Sequence, residues 1–186
     1  MLSFQRFPGV DILLGPEMHS TGEVMGMGAD FSEAFLKSQL AAGQKLPTSG
    51  KVFLSVNDRD KPYAAEVGKM FAELGFRLLA TAGTAKVLEK AGLAVKRVAK
   101  VYESRPNIVD LLVNKEVSLV INTVSGKNTA RDSREIRRAA LTYGVPYCTT
   151  IAAAKATAKA LGEHKGIGHV ESLQEYYSRK NADCVS

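Results

Sequence analysis

Thr81, Gly83 and Thr84 lie in the stretch FRLLATAGTA, residues 76–85, where residue types and spacing suit anion binding. Residues 76–80 are apolar or long-stemmed, the pattern of a strand buried on both faces. The run stops at Thr81-Ala82-Gly83-Thr84, and a helical pattern, AKVLEKAG, follows at once. Strand, tight glycine turn and helix in succession aim unpaired first-turn N–H groups and hydroxyls at one point beyond the strand. The helix dipole leaves positive potential there. TxGT alone equally describes a threonine N-cap on an ordinary helix. The other strand ends add weight to the anion.

Those ends carry Ser55, Asn57 and Lys61 after the first strand and Lys100 after a basic one. Asn122, Thr123, Ser125, Gly126 and Lys127 follow the most apolar strand, and Thr149 and Thr150 the last. Lysines neutralise phosphate charge as compact donors, while threonines and backbone N–H groups fix its oxygens. There is no GxxxxGK[ST], and no GxGxxG follows the first strand, so neither a P-loop nor a dinucleotide fingerprint is present. No strand end finishes in a carboxylate or histidine. Asp58 and Asp60 lie nearby, the second better used as a helix cap; Glu103 and Asp132, on loops at about the same level, are the remaining general-base candidates. An anion site without an evident base or nucleophile points to binding rather than turnover.

The elements that must position these groups alternate. KVFLSV (51–56) reads as a strand, Asp60 caps a helix with Pro62 in its first turn, and Gly75 ends it. FRLLA is the second strand, and its helix ends at Gly92. AVKRVAKV (94–101) alternates apolar with basic and reads as a strand near an edge. The loop YESRPN leads to the helix IVDLLVNK, and VSLVIN (117–122) is expected centrally. SGKNTARD reads as a loop, with Asp132 capping the helix SREIRRAALTYG. VPYC (145–148), the helix AAAKATAKALG, a weak strand near GHVES and the helix LQEYYSRK complete the order. This alternation predicts an α/β fold: a doubly wound, mostly parallel sheet with helices on both faces, binding ligands beyond the strands' carboxyl ends.

Four segments are expected: an arm and helix over 1–45, a linker (LPTSG) over 46–50, the regular domain over 51–180 and a frayed tail over 181–186. Residues 1–29 hold two prolines and five glycines without a sustained period, as an extended arm would. Asp30 and Glu33 form an Asp variant of the capping box, Gly43 ends that helix, and Phe31, Phe35, Leu36 and Leu40 are assigned to one face.

Composition narrows the partners. Lys+Arg 25 against Asp+Glu 19 gives a charge of +6, but the cations are scattered and no basic run interleaves with aromatics. Small anions suit that balance, and no nucleic-acid or membrane partner is expected. Cys148 and Cys184 have no metal-ligand spacing, Cys148 reading as a small core residue, and His19, His164 and His169 are isolated; no metal site is expected. No apolar run or leader pattern suggests a membrane or secretion, so a reducing, cytoplasmic setting is expected.

A family resemblance covers essentially the whole chain. FPGVDILLGPEMHSTGEVMGMG resembles the tail of the second ATP-grasp synthetase unit in the large subunit of bacterial carbamoyl phosphate synthetase. ADFSEAFLKSQLAAGQKLPTSGKVFLSV is similar to the junction into its regulatory domain. ATAGTA, KVYESRPNIVD, INTVSGK, DSREIRRAAL and YCTT follow in that family's order.

The resemblance implies an allosteric domain of methylglyoxal-synthase-like fold. The whole enzyme of that family makes carbamoyl phosphate from glutamine, bicarbonate and two ATP, for pyrimidine and arginine synthesis. It implies UMP and IMP as effectors, and ornithine near the synthetase interface. By motif, the effector phosphate would meet Ser55, Lys61, Thr81, Gly83 and Thr84, with Lys100, Asn122 and Thr123 lining the remaining pocket. Tyr147 and Thr149 would serve the ornithine site. No catalytic residue or cofactor is assigned to this chain. ATP, Mg or Mn, and K would bind outside it, and its partners would be the synthetase units and, through them, the glutaminase small subunit. The chain is accordingly expected to be an expressed fragment or a separately encoded regulatory subunit.

Three positions depart from enteric-type relatives. TAGT replaces THGT, so Ala82 removes a side chain from the phosphate loop. Val124 in INTVSG removes a hydroxyl, and Cys148 in YCTT replaces an acid beside the ornithine residues. The alternative function is a methylglyoxal-synthase-type lyase acting on dihydroxyacetone phosphate. It would need a Gly-Gly-Asp segment after the basic strand, where this chain has ESRPNIV.

Overall fold

The computed structural model describes residues 24–124, 127–163 and 172–183. Five strands form one parallel sheet: β1 (Lys51–Ser55), β2 (Arg77–Ala80), β3 (Val95–Arg97), β4 (Leu119–Asn122) and β5 (Tyr147–Cys148). Their order is β3-β2-β1-β4-β5, with β1 in the middle. The chain winds outward from β1 in both directions, so the winding reverses between β1 and β4. Ser55 stands opposite Asn122 in register at that reversal, where ligands of such sheets bind.

Helices cover both faces. α2 (Lys61–Glu73), α3 (Ala82–Lys90) and α6 (Ile151–Glu163) share one core with Val52, Leu54, Leu78, Leu119, Ile121 and Cys148. α4 (Ile108–Val113) and α5 (Lys127–Thr142) pack on the other face over Phe53, Leu79 and Val120. With helices on both faces, strand residues pointing either way are buried, so central strands are largely apolar, and Leu119–Asn122 is buried at every position. Gly68 sets how closely α2 approaches α3: a Cβ there would stand 2.6 Å from Leu88 Cδ2. That close approach helps bring Lys61, at the start of α2, over the first turn of α3.

The first helix, α1 (Phe31–Ala41), packs against α6. The Asp30 carboxylate accepts the Glu33 N–H at 2.8 Å, while Glu33 reaches back to the Ala29 N–H at 2.7 Å. The face assigned from sequence needs correction at Phe31, which is 60% exposed and stacked on Phe35; Ser32 is the buried residue and its hydroxyl meets Glu163.

Four further expectations change. Asp60 precedes α2, yet its side chain caps nothing; Asn57 Oδ1 accepts the Arg59 and Asp60 N–H groups instead, at 2.9 and 3.1 Å. The strand expected over 94–101 is confined to Val95–Arg97, followed by an isolated bridge from Ala99 to Asn107, because it lies at the sheet edge with one neighbour. β4 is interior but β1 holds the centre. Residues 127–132 are the opening of α5, not a loop ending in an Asp132 cap. After Gly126 that polar run contains no glycine or proline, so nothing stops the helix from propagating back.

Helix α7 (Leu173–Asp183) starts from a capping box between Ser172 and Glu175 and runs into the segment expected as a tail. The arm over 1–23, most of the weak strand near GHVES, residues 184–186, Cys184 and all three histidines lie outside the described residues. No described helix is long and apolar enough to cross a membrane. Among the described residues, no group of three or more His, Cys, Asp or Glu could hold a metal ion.

Candidate anion site

Thr81 is the N-cap of α3, with extended backbone, and the Ala85 N–H closes the first helical bond on its carbonyl at 2.8 Å. Its hydroxyl makes no capping bond to the first turn. It turns toward Ser55 Oγ at 3.4 Å and Thr84 Oγ1 at 3.5 Å. The N–H groups that open α3 are thereby left without the side-chain acceptor that N-caps commonly supply. Thr84, 1% exposed, accepts the Val56 N–H at 3.1 Å, locking the turn to the end of β1.

Lys61 comes from the first turn of α2. A Cβ on Gly83 would stand 3.4 Å from its Nζ, so the ammonium lies over the glycine of the turn. Ser55, Lys61, Thr81, Gly83 and Thr84 are thus gathered at the ends of β1 and β2. A cation above a dipole-bearing helix terminus, with hydroxyls at its side, can hold a phosphate or carboxylate.

The same cluster contains an acid that the sequence left unassigned. Asp58 Oδ1 is 2.5 Å from Lys61 Nζ, with its side chain 91% exposed. The Lys61 ammonium, by hydrogen bond and charge, holds the Asp58 carboxyl below its ordinary value, and the Lys100 ammonium lowers it further. Lys100 therefore acts on the same patch from beyond β3. Glu103 is engaged by accepting the Lys100 backbone N–H at 3.1 Å, and Asp132 lies within α5.

Across the reversal, Thr123 Oγ1 accepts both the backbone and carboxamide N–H of Asn57, at 3.1 and 3.0 Å. Asn57 Nδ2 also donates to Asp60 Oδ2 at 2.7 Å, so one side chain fixes the loop carrying Asp58 against β4. Asn122, 2% exposed, accepts from Ser133 Oγ at 3.4 Å, while its Nδ2 has no hydrogen-bond partner among the described residues. A buried orphan donor costs free energy unless something accepts from it. Arg137, one helical turn beyond Ser133, is a charged side chain only 3% exposed. Asn57 stood among the strand-end residues named from sequence, but Ser133 and Arg137 escaped the sequence analysis; their i, i+4 spacing on α5 was the available signal.

Tyr147 donates its hydroxyl to the Asn122 carbonyl at 3.3 Å. Tyr147 and Thr149 also line a cavity of about 210 Å³ with Phe35, Gln39, Gln44 and Cys148. It shares no lining residue with the cradle around Lys61. Burial raises the Cys148 thiol above its usual range, and a contact to Thr157 at 3.5 Å opposes this in part.

Residues 63–149, which hold most of these groups, match the family model described as the MGS-like domain. The chain carries an MGS-like domain. Its sequence is 53% identical over 172 residues to the carbamoyl phosphate synthase large chain of Pseudomonas putida, covering 91% of this chain and 16% of that protein. It is 48% identical over 177 residues to the large chain of Nostoc sp., 95% of this chain and 16% of that one. Against the protein named carbamoyl phosphate synthase large chain, C-terminal section, of Aquifex aeolicus it is 50% identical over 182 residues, 94% of this chain and 34% of that one. The chain therefore spans only a minor part of the curated relatives it matches. A crystal structure of methylglyoxal synthase from Elizabethkingia anophelis aligns with a TM-score of 0.48 and 17% identity, over 71% of this chain and 92% of that one. In this MGS-like domain the family model begins at Tyr63, two residues after Lys61, and ends at Thr149.

Proposed function

We propose that the MGS-like domain is an allosteric module of a carbamoyl phosphate synthase large chain, binding the phosphate of a nucleoside monophosphate such as UMP or IMP. The supporting observation is the cradle: Lys61 over Gly83, hydroxyls of Ser55, Thr81 and Thr84 beside it, and a first helical turn that Thr81 does not cap. Lys100, Asn122 and Thr123 extend the pocket toward ribose and base, where Asn122 Nδ2, without an acceptor among the described residues, is a candidate donor. Tyr147 and Thr149, on the separate cavity, are the proposed contacts for ornithine.

On this account the chain itself is regulatory. Glutamine-dependent, ATP-driven synthesis of carbamoyl phosphate belongs to synthetase units and a glutaminase subunit outside these residues, with ATP and its metal ions bound there. Effectors act by binding one conformational state of the assembly more tightly than another. Calorimetric titration of the 186-residue chain with UMP and IMP tests the proposal, with saturable binding of either as the expected result.

A further inference from the structure

Lys61 is the cation of the cradle, and a neighbouring carboxylate already engages it. Asp58, three residues earlier, contacts its Nζ at 2.5 Å. The carboxylate is not held there by packing, since its side chain is 91% exposed. It is held by its loop. Asn57 Oδ1 accepts the Arg59 and Asp60 N–H groups, and Asn57 Nδ2 binds Thr123 Oγ1 and Asp60 Oδ2. The turn is thereby fixed at both ends while the Asp58 side chain stays free to swing into solvent. A carboxylate presents to an ammonium the same oxygen lone pairs that a phosphate does.

We propose that Asp58 is an internal anion that occupies Lys61 in the unliganded domain and is displaced by the effector phosphate, setting the affinity of the site. The inference rests on the anion site proposed above. Breaking the pair costs the ligand only what an exposed ion pair contributes, so a phosphate that also gains the helix N–H groups and the threonine hydroxyls displaces it. An anion that gains only Lys61 does not. The residue thus discriminates between phosphates that fill the whole cradle and simple counterions.

The test uses the full chain, titrated calorimetrically with UMP and, in parallel, inorganic phosphate, at low and moderate salt. Asp58→Asn preserves the shape of the side chain and removes its charge. It is expected to bind UMP roughly two- to fivefold more tightly than the unaltered chain, the size of an exposed ion pair, with the gain shrinking as salt rises. In a Lys61→Ala background the same substitution is expected to change nothing. The proposal is overturned if the unaltered chain binds UMP and Asp58→Asn binds it equally or more weakly, or if the gain persists undiminished without Lys61. If neither UMP nor phosphate binds to any variant, the anion site itself is wrong and the role of Asp58 falls with it.

Discussion

The hydroxyl of Thr84 accepts the backbone N–H of Val56 at 3.1 Å, across a sequence separation of 28 residues. A side chain in the first turn of α3 thus completes the hydrogen bonding of the chain leaving β1, and holds the candidate phosphate turn to the strand. Thr84→Val leaves that N–H buried without an acceptor. The expected cost is about 1–3 kcal/mol of folding stability, measured by urea unfolding. Thr84→Ser, which keeps the oxygen, is expected to lose less; equal losses in both would mean that the bond contributes nothing.

Gly83 separates folding from binding. A Cβ there meets only the far end of the Lys61 side chain, at 3.4 Å, and alanine favours a helix over glycine by roughly 0.5–1 kcal/mol. Gly83→Ala is expected to keep or slightly raise the melting temperature while weakening UMP binding, because the methyl group stands between the ammonium and the helix terminus. A marked loss of stability would show that the glycine serves the fold instead.

Glu33 gives a pH dependence of defined sign. Its hydrogen bond from Lys37 and that from the Ala29 N–H hold its carboxyl below the ordinary 4.5. A carboxyl lowered in the folded state stabilises fully above its unfolded value, and the contribution is lost as pH falls through the folded one. Glu33→Gln is therefore expected to lower the melting temperature at pH 7, by an amount matching roughly 0.5 kcal/mol for an i, i+4 pair, and to differ less from the unaltered chain as pH drops below about 4.5. A deficit that grows on acidification would contradict this.

Cys148 is expected to resist alkylation. Burial holds its thiol protonated above the usual range, at 6% residue exposure, and the thiolate is the reactive form. In a Cys184→Ser variant, a bulky maleimide should label Cys148 only as fast as the chain unfolds. Rapid labelling under native conditions would place the thiol in contact with solvent.

Much of the architecture is legible in the sequence because the cores of β1, β2 and β4 are short apolar runs set between helix signals. Gly43, Gly75, Gly92 and Gly144, expected helix ends, all adopt positive φ angles. The opening of α5 is not legible. Residues 127–132 are polar except for Ala130, and only the absence of a breaker distinguishes them from a loop. The edge position of β3 could be read from its alternation of apolar and basic residues, but its length could not: with one partner strand it is confined to Val95–Arg97. At the site, the threonines and Lys61 can be read from local spacing. The bridge from Asn57 to Thr123 spans 66 residues, and it exists only because β1 and β4 are neighbours. Asp58 stood beside Lys61 in the sequence, but its role depends on which way both side chains turn.

The central claim is that Lys61 and the uncapped first turn of α3 hold an effector phosphate. Calorimetric titration of the chain and its Lys61→Ala variant with UMP tests it most directly. Removing one charge-assisted contact should weaken binding by about 1.5–3 kcal/mol, or roughly ten- to 150-fold, with the melting temperature of the free protein little changed. Equal affinity in the two proteins would contradict it.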